Sequence, residues 1–356
     1  MSNIKFNGNQ SAFYVDLKNR VNTYFQQRKT KQHGDMRLFF KAGLFLSAFA
    51  ATYIVLVFFT PATLIAALLC VVLGIITAAI GFNIMHDGAH GSFSGNKTVN
   101  RMAALTLNLV GGSAFMWNIK HNMLHHTYTN IEGHDDDIEN EPFIRMGASQ
   151  RLRKMHRFQH IYWVFIYGFM YMGWIFFLDF QKYFSRKIGA KTNISMSVTQ
   201  HIGFWLTKII YVGLFIVLPL LFLEALPLII GYFVFAFTTG IIISIVFQLA
   251  HAVEGPEFVQ PQGGNEVLEN DWAVHQVITT ANFATNSKVV GFFTGGLNHQ
   301  IEHHLFPKIS HIFYPHLSVI VKETCKEHGI RYVEQPTVFK AVASHIRFLR
   351  KMGKGE

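Results

Sequence analysis

Residues 226–250 read LPLIIGYFVFAFTTGIIISIVFQLA, twenty-five residues without a charge, and are followed directly by His251. A helix needs about 20 apolar residues to cross a bilayer core, so this run is long enough to span. It sits inside a longer stretch, Ile209 to Ser287, that contains no Lys or Arg at all. Working outward, three more runs share its character: Phe204–Phe222 just before it, and Leu38–Phe59 and Ala62–Met85 near the start of the chain. The links within each pair are short. Thr60-Pro61 joins the first two, and a segment around Glu224, between Pro219 and Pro227, joins the last two.

Lys and Arg fill three regions: the N-terminal arm, Lys97 to Lys208, and Lys288 onward. Under the positive-inside rule all three face the cytoplasm. The net charge of +10 then needs no nucleic acid to explain it. Of the 356 residues, half are hydrophobic and 15 % charged, against about a quarter charged in soluble domains. Cys70 lies in an apolar run and Cys325 in a polar tail, and they are the only two cysteines. That count rules out a disulfide framework or a cysteine-built metal site. The first ~35 residues lack the short apolar core of a cleavable signal peptide.

A fifth apolar stretch, Ile161–Phe180, is rich in Tyr, Trp and Phe, a composition that suits the membrane interface. If it crossed, Lys182, Arg186, Lys187 and Lys191 would be carried to the far side. It is therefore read as interfacial, and the spans number four. Their central portions hold no Asp, Glu, Lys, Arg or His, which argues against ion permeation. In the N-terminal arm Phe13, Leu17, Val21 and Phe25 recur every four residues. This pattern fits an interfacial amphipathic helix or an ordinary solvated arm.

Histidine is the other anomaly, with 19 in the chain. His86-Asp87-Gly88-Ala89-His90 closes the second run, and two histidines four apart share one face of a helix. In His121-Asn122-Met123-Leu124-His125-His126, residues 121 and 125 share a face and 126 lies about 100° round it. The third cluster is His299-Gln300-Ile301-Glu302-His303-His304, and His251 stands alone after the fourth run. One spaced pair is commonplace and carries little weight. Three clusters that the charge pattern independently assigns to one membrane face carry much more.

His86, His90, His121, His125, His126, His251, His303 and His304 make eight candidate ligands. One transition ion takes at most about six and needs an open position, so eight imply two ions. Imidazole donors suit iron, copper, nickel or zinc, and spacing does not rank them. Ligating imidazoles need acceptors on the other ring nitrogen. Asp87, Glu254, Asn298, Glu302 and the acidic run Asp135-Asp136-Asp137 are the candidates nearby. The single histidines are read as structural, with His156 and His160 as further candidates for that supporting role.

The expected fold is an all-α integral membrane protein. It has four transmembrane helices plus interfacial helices, and a cytosolic helical cap holding a di-metal site. The divisions are an N-terminal arm (1–37), the first two spans (38–85), a cytosolic histidine region with the interfacial segment 161–180 (86–203), the last two spans (204–250) and a cytosolic C-terminal cap (251–356). Both termini and the histidines are expected in the cytoplasm, at the inner membrane if the source is a bacterium.

The three clusters, HDGAH, HNMLHH and QIEHH, together resemble the three-histidine-box membrane fatty-acid desaturases. The run GGLNHQIEHHLFP at 295–307 is close to the third box of the front-end members, which insert a double bond between an existing one and the carboxyl end. The resemblance covers nearly the whole chain. It implies that the eight histidines bind two iron ions, that O2 is a co-substrate, and that the substrate is a fatty acyl chain carried on CoA or lipid. Gln300 stands where many desaturases outside the front-end group place another ligand histidine. That leaves it as a weak amide ligand, a water-mediated partner or a positioning group, with His299 ranked below it. No His-Pro-Gly-Gly haem motif is present, so electrons are expected from a separate ferredoxin or cytochrome b5. A lipid hydroxylase or sphingolipid desaturase on the same scaffold is the nearest alternative, and a metal transporter or sensor a distant one.

Overall fold

A computed structural model describes residues 4–7, 11–139, 141–261 and 267–356. The chain is mostly helical. In order, β1 is Lys5–Phe6, α1 Ala12–Arg28, α2 Met36–Phe58, α3 Thr63–His90, α4 Lys97–Leu109, α5 Ala114–Tyr128, α6 Lys154–Ser185, α7 Val198–Leu220 and α8 Ala225–His251. There follow β2 Val267–Leu268, α9 Trp272–Ile278, β3 Ala281–Phe283, α10 Lys288–Thr294, α11 Gln300–Leu305, α12 Tyr314–Glu327, β4 Val333–Gln335 and α13 Val338–Lys354. The strands form two small parallel pairs, β1 with β2 and β3 with β4. The residues group into two units: an apolar one of 35–118 and 164–245, and a polar one of 1–34, 119–163 and 246–356.

Among the described residues, five helices are long and apolar enough to cross a membrane: α2, α3, α6, α7 and α8. The sequence reading counts four of them. It treats the stretch within α6 as interfacial, whereas α6 runs for 32 residues as a fifth helix of spanning length. α4 and α5 form a pair bent by 111°. Large apolar side chains on the spanning helices face outward, with Phe40 77 %, Leu64 73 % and Phe177 72 % exposed. A water-facing surface of that kind would drive aggregation, whereas lipid tails solvate it. This is a membrane protein.

Within the apolar unit, α2 and α7 run in the same direction. Tyr53 meets Phe215 and Phe58 meets Phe222. α3 likewise runs with α8, so that a Cβ on Gly231 would lie 3.3 Å from the Cys70 sulfur and one on Gly74 would lie 2.8 Å from the Phe235 carbonyl. α6 behaves differently. Its first part runs antiparallel to α8, with Gly168 against Gly240 and Phe237, then Tyr171 against Phe235, then Phe176 against Tyr232. Its second part runs antiparallel to α7, with Asp179 against Lys208, Phe180 against Phe204 and Tyr183 against His201. Gly168 and Gly240 permit the close approach, because a Cβ on Gly240 would sit 2.5 Å from the Gly168 carbonyl.

α7 begins at Val198 rather than near Phe204. The side chain of Ser197 accepts from the Gln200 N–H while the Gln200 side chain accepts from the Ser197 N–H, a reciprocal cap that starts the helix early. Lys208 is thereby an interior residue of α7, against the expectation of charge-free span centres. Its Nζ donates to the Gly111 carbonyl at 2.7 Å, the Ile175 carbonyl at 2.9 Å and Asp179 Oδ2 at 2.7 Å. Asp179 also accepts from the Ser113 N–H and the Trp174 indole. The cation is thus saturated and ties α6 and α7 to the loop between α4 and α5.

In the polar unit, α1 buries Phe13, Leu17, Val21 and Phe25 against Leu317, Val321 and Cys325 of α12 and Ala273 and Val277 of α9. Arg20 on its outer face bridges Asp16 and Glu327. The arm's apolar stripe therefore belongs to a protein core, neither to the membrane interface nor to solvent. Lys208→Met, which strands a buried carboxylate, should cost about 3–5 kcal/mol of stability, and Lys208→Met with Asp179→Leu should recover most of it. Thermal unfolding of the detergent-solubilised variants checks this, and equal losses in both would contradict the clamp.

Candidate metal centre

Six histidines of the polar unit come together on three helices. α5 carries His121, His125 and His126, α8 ends on His251, and α11 carries His303 and His304. Residues 118–125 of α5 are wound as a π-helix, in which each turn takes an extra residue. Residues five apart then fall on one side, and His121 Nε2 lies 3.2 Å from His126 Nε2. The 3.6-residue expectation pairs His121 with His125, and their rings do stack 5.2 Å apart, with ligating atoms within 4.8 Å of each other and of Asp137; the wider turn brings His126, expected about 100° away, to His121 as well. Two nitrogens about 2.0–2.1 Å from one ion, at roughly a right angle, would be about 3 Å apart.

A second convergence joins the three helices. The rings of His125, His251 and His304 lie 4.8–4.9 Å apart pairwise, and their ligating atoms lie within 4.8 Å of one another. His126 connects the two groups, with its ring 4.6 Å from His303 and 4.5 Å from His304. All six histidines are buried.

Each ring of the trio, and that of His303, is oriented by a partner on Nδ1. Both oxygens of Asp135 meet His125 Nδ1, at 3.0 and 3.1 Å. The Thr279 carbonyl is 3.3 Å from His251 Nδ1, the Tyr314 hydroxyl 3.1 Å from His303 Nδ1, and Gln276 Oε1 2.8 Å from His304 Nδ1. Asp135 is itself held by the N–H groups of Asn130 and Asp137. A carboxylate or carbonyl on one ring nitrogen fixes the tautomer and presents the other nitrogen as a donor. Nε2 of His125 and of His251 are buried and make no hydrogen bond among the described residues. Buried polar atoms are normally paired, so these nitrogens fit a metal ion that completes them. The donor set is compatible with a metal centre.

The acceptors expected from sequence are only partly those that reach the imidazoles. Asp135, from the acidic run, does so. Asp136 and Asp137 pair with Lys120, and Asp137 also comes within 3.4 Å of His125 Nδ1. Glu254 points instead to Arg347 and Lys351. The Asn298 amide donates to the Ala284 carbonyl. Glu302 accepts from Asn282 at 2.7 Å and Tyr332 at 3.0 Å; burial pushes its carboxyl up to about 7 against these donors. His156 spans the Pro142 carbonyl and the Arg153 N–H, a structural role. Gln276, Tyr314 and Thr279 have no motif to announce them, and sequence reading misses them.

His299 turns toward Glu302, with 3.8 Å between Nδ1 and the carboxylate. Burial pushes its imidazole down to about 4, so it is neutral at physiological pH. Gln300 opens α11 fully buried, and its Nε2 has no hydrogen-bond partner among the described residues. In the apolar unit His86 and His90 close α3 just after a π-turn at Gly81–Met85. Their rings are 4.6 Å apart, and both contact Trp117. Asp87, between them in sequence, is buried, and its carbonyl accepts from the Ser92 and Phe93 N–H groups.

A family model described as fatty acid desaturase matches residues 61–336. The chain is 38 % identical over 359 residues to the sn-1 linoleoyl-lipid 6-desaturase of Synechocystis sp., covering 99 % of this chain and 98 % of that protein. It is 34 % identical over 351 residues to the protein of the same name from Arthrospira platensis, covering 97 % and 94 %. It is also 34 % identical over 348 residues to the acyl-lipid (8-3)-desaturase of Physcomitrium patens, covering 97 % of this chain and 72 % of that one.

Asp135→Asn keeps the shape but removes the charge behind His125. It should weaken metal retention about 10–100-fold, read as metal left on the purified protein after graded chelation. Wild-type retention would contradict the orienting role.

Proposed function

This chain belongs to the fatty acid desaturase family, and on that premise we propose that it is a front-end desaturase acting on a linoleoyl chain carried by a membrane lipid. The observation that carries the chemistry is the buried convergence of His121, His125, His126, His251, His303 and His304, with an orienting partner on Nδ1 of four of them. His86 and His90 complete the ligand set by the motif resemblance, with Gln300 as the remaining candidate. Two iron ions, when bound, would supply the oxidising power toward unactivated C–H bonds that side chains lack.

The overall change balances as acyl –CH2–CH2– plus O2, two electrons and two protons giving –CH=CH– and two waters. A separate ferredoxin or cytochrome b5 supplies the electrons in this reading. Asp135, Thr279, Tyr314 and Gln276 hold the imidazoles in their donor orientation, and the surrounding burial excludes water. The lipid-linked substrate is favoured over acyl-CoA because the two relatives matched along nearly their whole lengths are named for linoleoyl-lipid.

The same geometry supports a four-span topology. His125 and His251 are in one buried trio, so the chain between them must cross the membrane an even number of times. α6, α7 and α8 would make three crossings. α6 runs antiparallel to both α7 and α8, which a straight crossing helix cannot do with the two arms of a hairpin. It is therefore the segment that dips in or lies across, while α7 and α8 span. The arm 1–37, the box region 86–203 and the cap 251–356 then lie on the cytoplasmic face beside the paired spans 38–85 and 204–250, in keeping with the distribution of Lys and Arg.

Expression in a host that contains linoleoyl lipids should yield a further double bond on the carboxyl side of the existing pair, appearing first in glycerolipid rather than acyl-CoA. His304→Ala should abolish it. Gas chromatography with double-bond location checks both, and hydroxylated lipid without new alkene would overturn the reading.

A further inference from the structure

Gln276 belongs to none of the histidine motifs, yet it touches two of them. It lies on α9 and is fully buried. Its Oε1 is 2.8 Å from His304 Nδ1 and 2.8 Å from the Thr129 hydroxyl. Thr129 follows the second histidine cluster, and its hydroxyl is 2.7 Å from the His125 carbonyl and 3.3 Å from His304 Nδ1. The Thr129 carbonyl in turn receives His275 Nε2, at 2.9 Å, from the residue next to Gln276. Thr129, Gln276 and His304 are each shielded completely from solvent.

We propose that Gln276 is a positioning residue that selects the tautomer of His304 able to bind metal, and that Thr129 sets the orientation of its amide. This rests on the reading of His304 as a ligand. A neutral imidazole carries one N–H. With the proton on Nδ1, donated to Gln276 Oε1, the Nε2 lone pair is presented to a metal ion. The reversed amide would offer an N–H to Nδ1, force the proton onto Nε2 and remove the donor.

Thr129 has a single hydroxyl hydrogen, and two acceptors compete for it. Given to Gln276 Oε1, it stabilises the carbonyl-inward amide and the metal-ready ring. Given to the His125 carbonyl, it leaves a lone pair that would accept an amide N–H and stabilise the reverse. In the carbonyl-inward arrangement Gln276 Nε2 finds no hydrogen-bond partner among the described residues, so only the Oε1 side holds it there. The bridge also joins the second histidine cluster, through the His125 carbonyl and Thr129, to the third, through His304.

Purified wild type, Gln276→Glu, Gln276→Leu and Thr129→Val are to be compared for iron retained against graded chelator and for the Mössbauer spectrum of 57Fe-loaded protein. Glutamate keeps an acceptor in place and should keep wild-type stoichiometry, with a shifted spectrum for one iron. Leucine should lose about 10–100-fold in affinity for one of the two ions and leave the other's signal unchanged. Thr129→Val should fall between wild type and Gln276→Leu. A folded Gln276→Leu with wild-type affinity and spectrum overturns the proposal, as does a Gln276→Glu no better than Gln276→Leu. Should Gln276→Leu fail to insert, Thr129→Val with wild-type affinity has the same force. A wild type that retains no metal would instead overturn the metal-centre reading beneath it.

Discussion

Six imidazoles packed with ring centres between about 4.5 and 6 Å apart, out of reach of bulk water, pose a problem of unsatisfied nitrogen atoms. A buried polar atom without a partner costs roughly 1–3 kcal/mol, and a cluster of charged imidazoles would repel itself. The arrangement resolves this asymmetrically. On one side of four of the rings stand Asp135, the Thr279 carbonyl, Tyr314 and Gln276; on the other, Nε2 of His125 and of His251 is left for a ligated ion. Much of the polar unit serves that requirement. α9 brings Gln276, α12 brings Tyr314, and the turn after α5 brings Asp135 and Thr129. α1 packs its apolar stripe against the outer side of α9 and α12 and holds both in place.

The apolar unit solves a different problem, that of a lipid-solvated surface with polar atoms inside. Lys208 and Asp179 survive at the heart of it because every donor and acceptor around them is matched, through the Gly111 and Ile175 carbonyls, the Ser113 N–H and the Trp174 indole. The pair fixes α6 against α7 where Gly168 and Gly240 fix it against α8. Close backbone contact and a saturated ion pair do the work that hydrophobic burial cannot do among lipid tails.

What could be read in advance follows from how local each signal is. The histidine clusters and the apolar runs are written within a few residues of themselves, so their existence and approximate limits were legible. The π-winding of α5 was not, because nothing in HNMLHH announces an extra residue per turn. The orienting partners were mostly invisible for a related reason: Gln276 and Tyr314 approach their imidazoles from 28 and 11 residues away in sequence, and Glu254, which stands three residues from His251, goes to Arg347 and Lys351 instead. The stripe Phe13, Leu17, Val21, Phe25 was legible as a stripe, but its partner is the far end of the chain. Ser197 and Gln200 start α7 early enough to make Lys208 interior, a detail that composition alone does not carry.

The proposed centre is two iron ions held by histidine nitrogens and not by carboxylates or thiolates. Iron K-edge X-ray absorption on purified, metal-quantified protein tests it most directly. The account predicts two irons per chain with a nitrogen- and oxygen-only first shell and strong imidazole multiple scattering. A single ion per chain, zinc in place of iron, or sulfur in the first shell would contradict it.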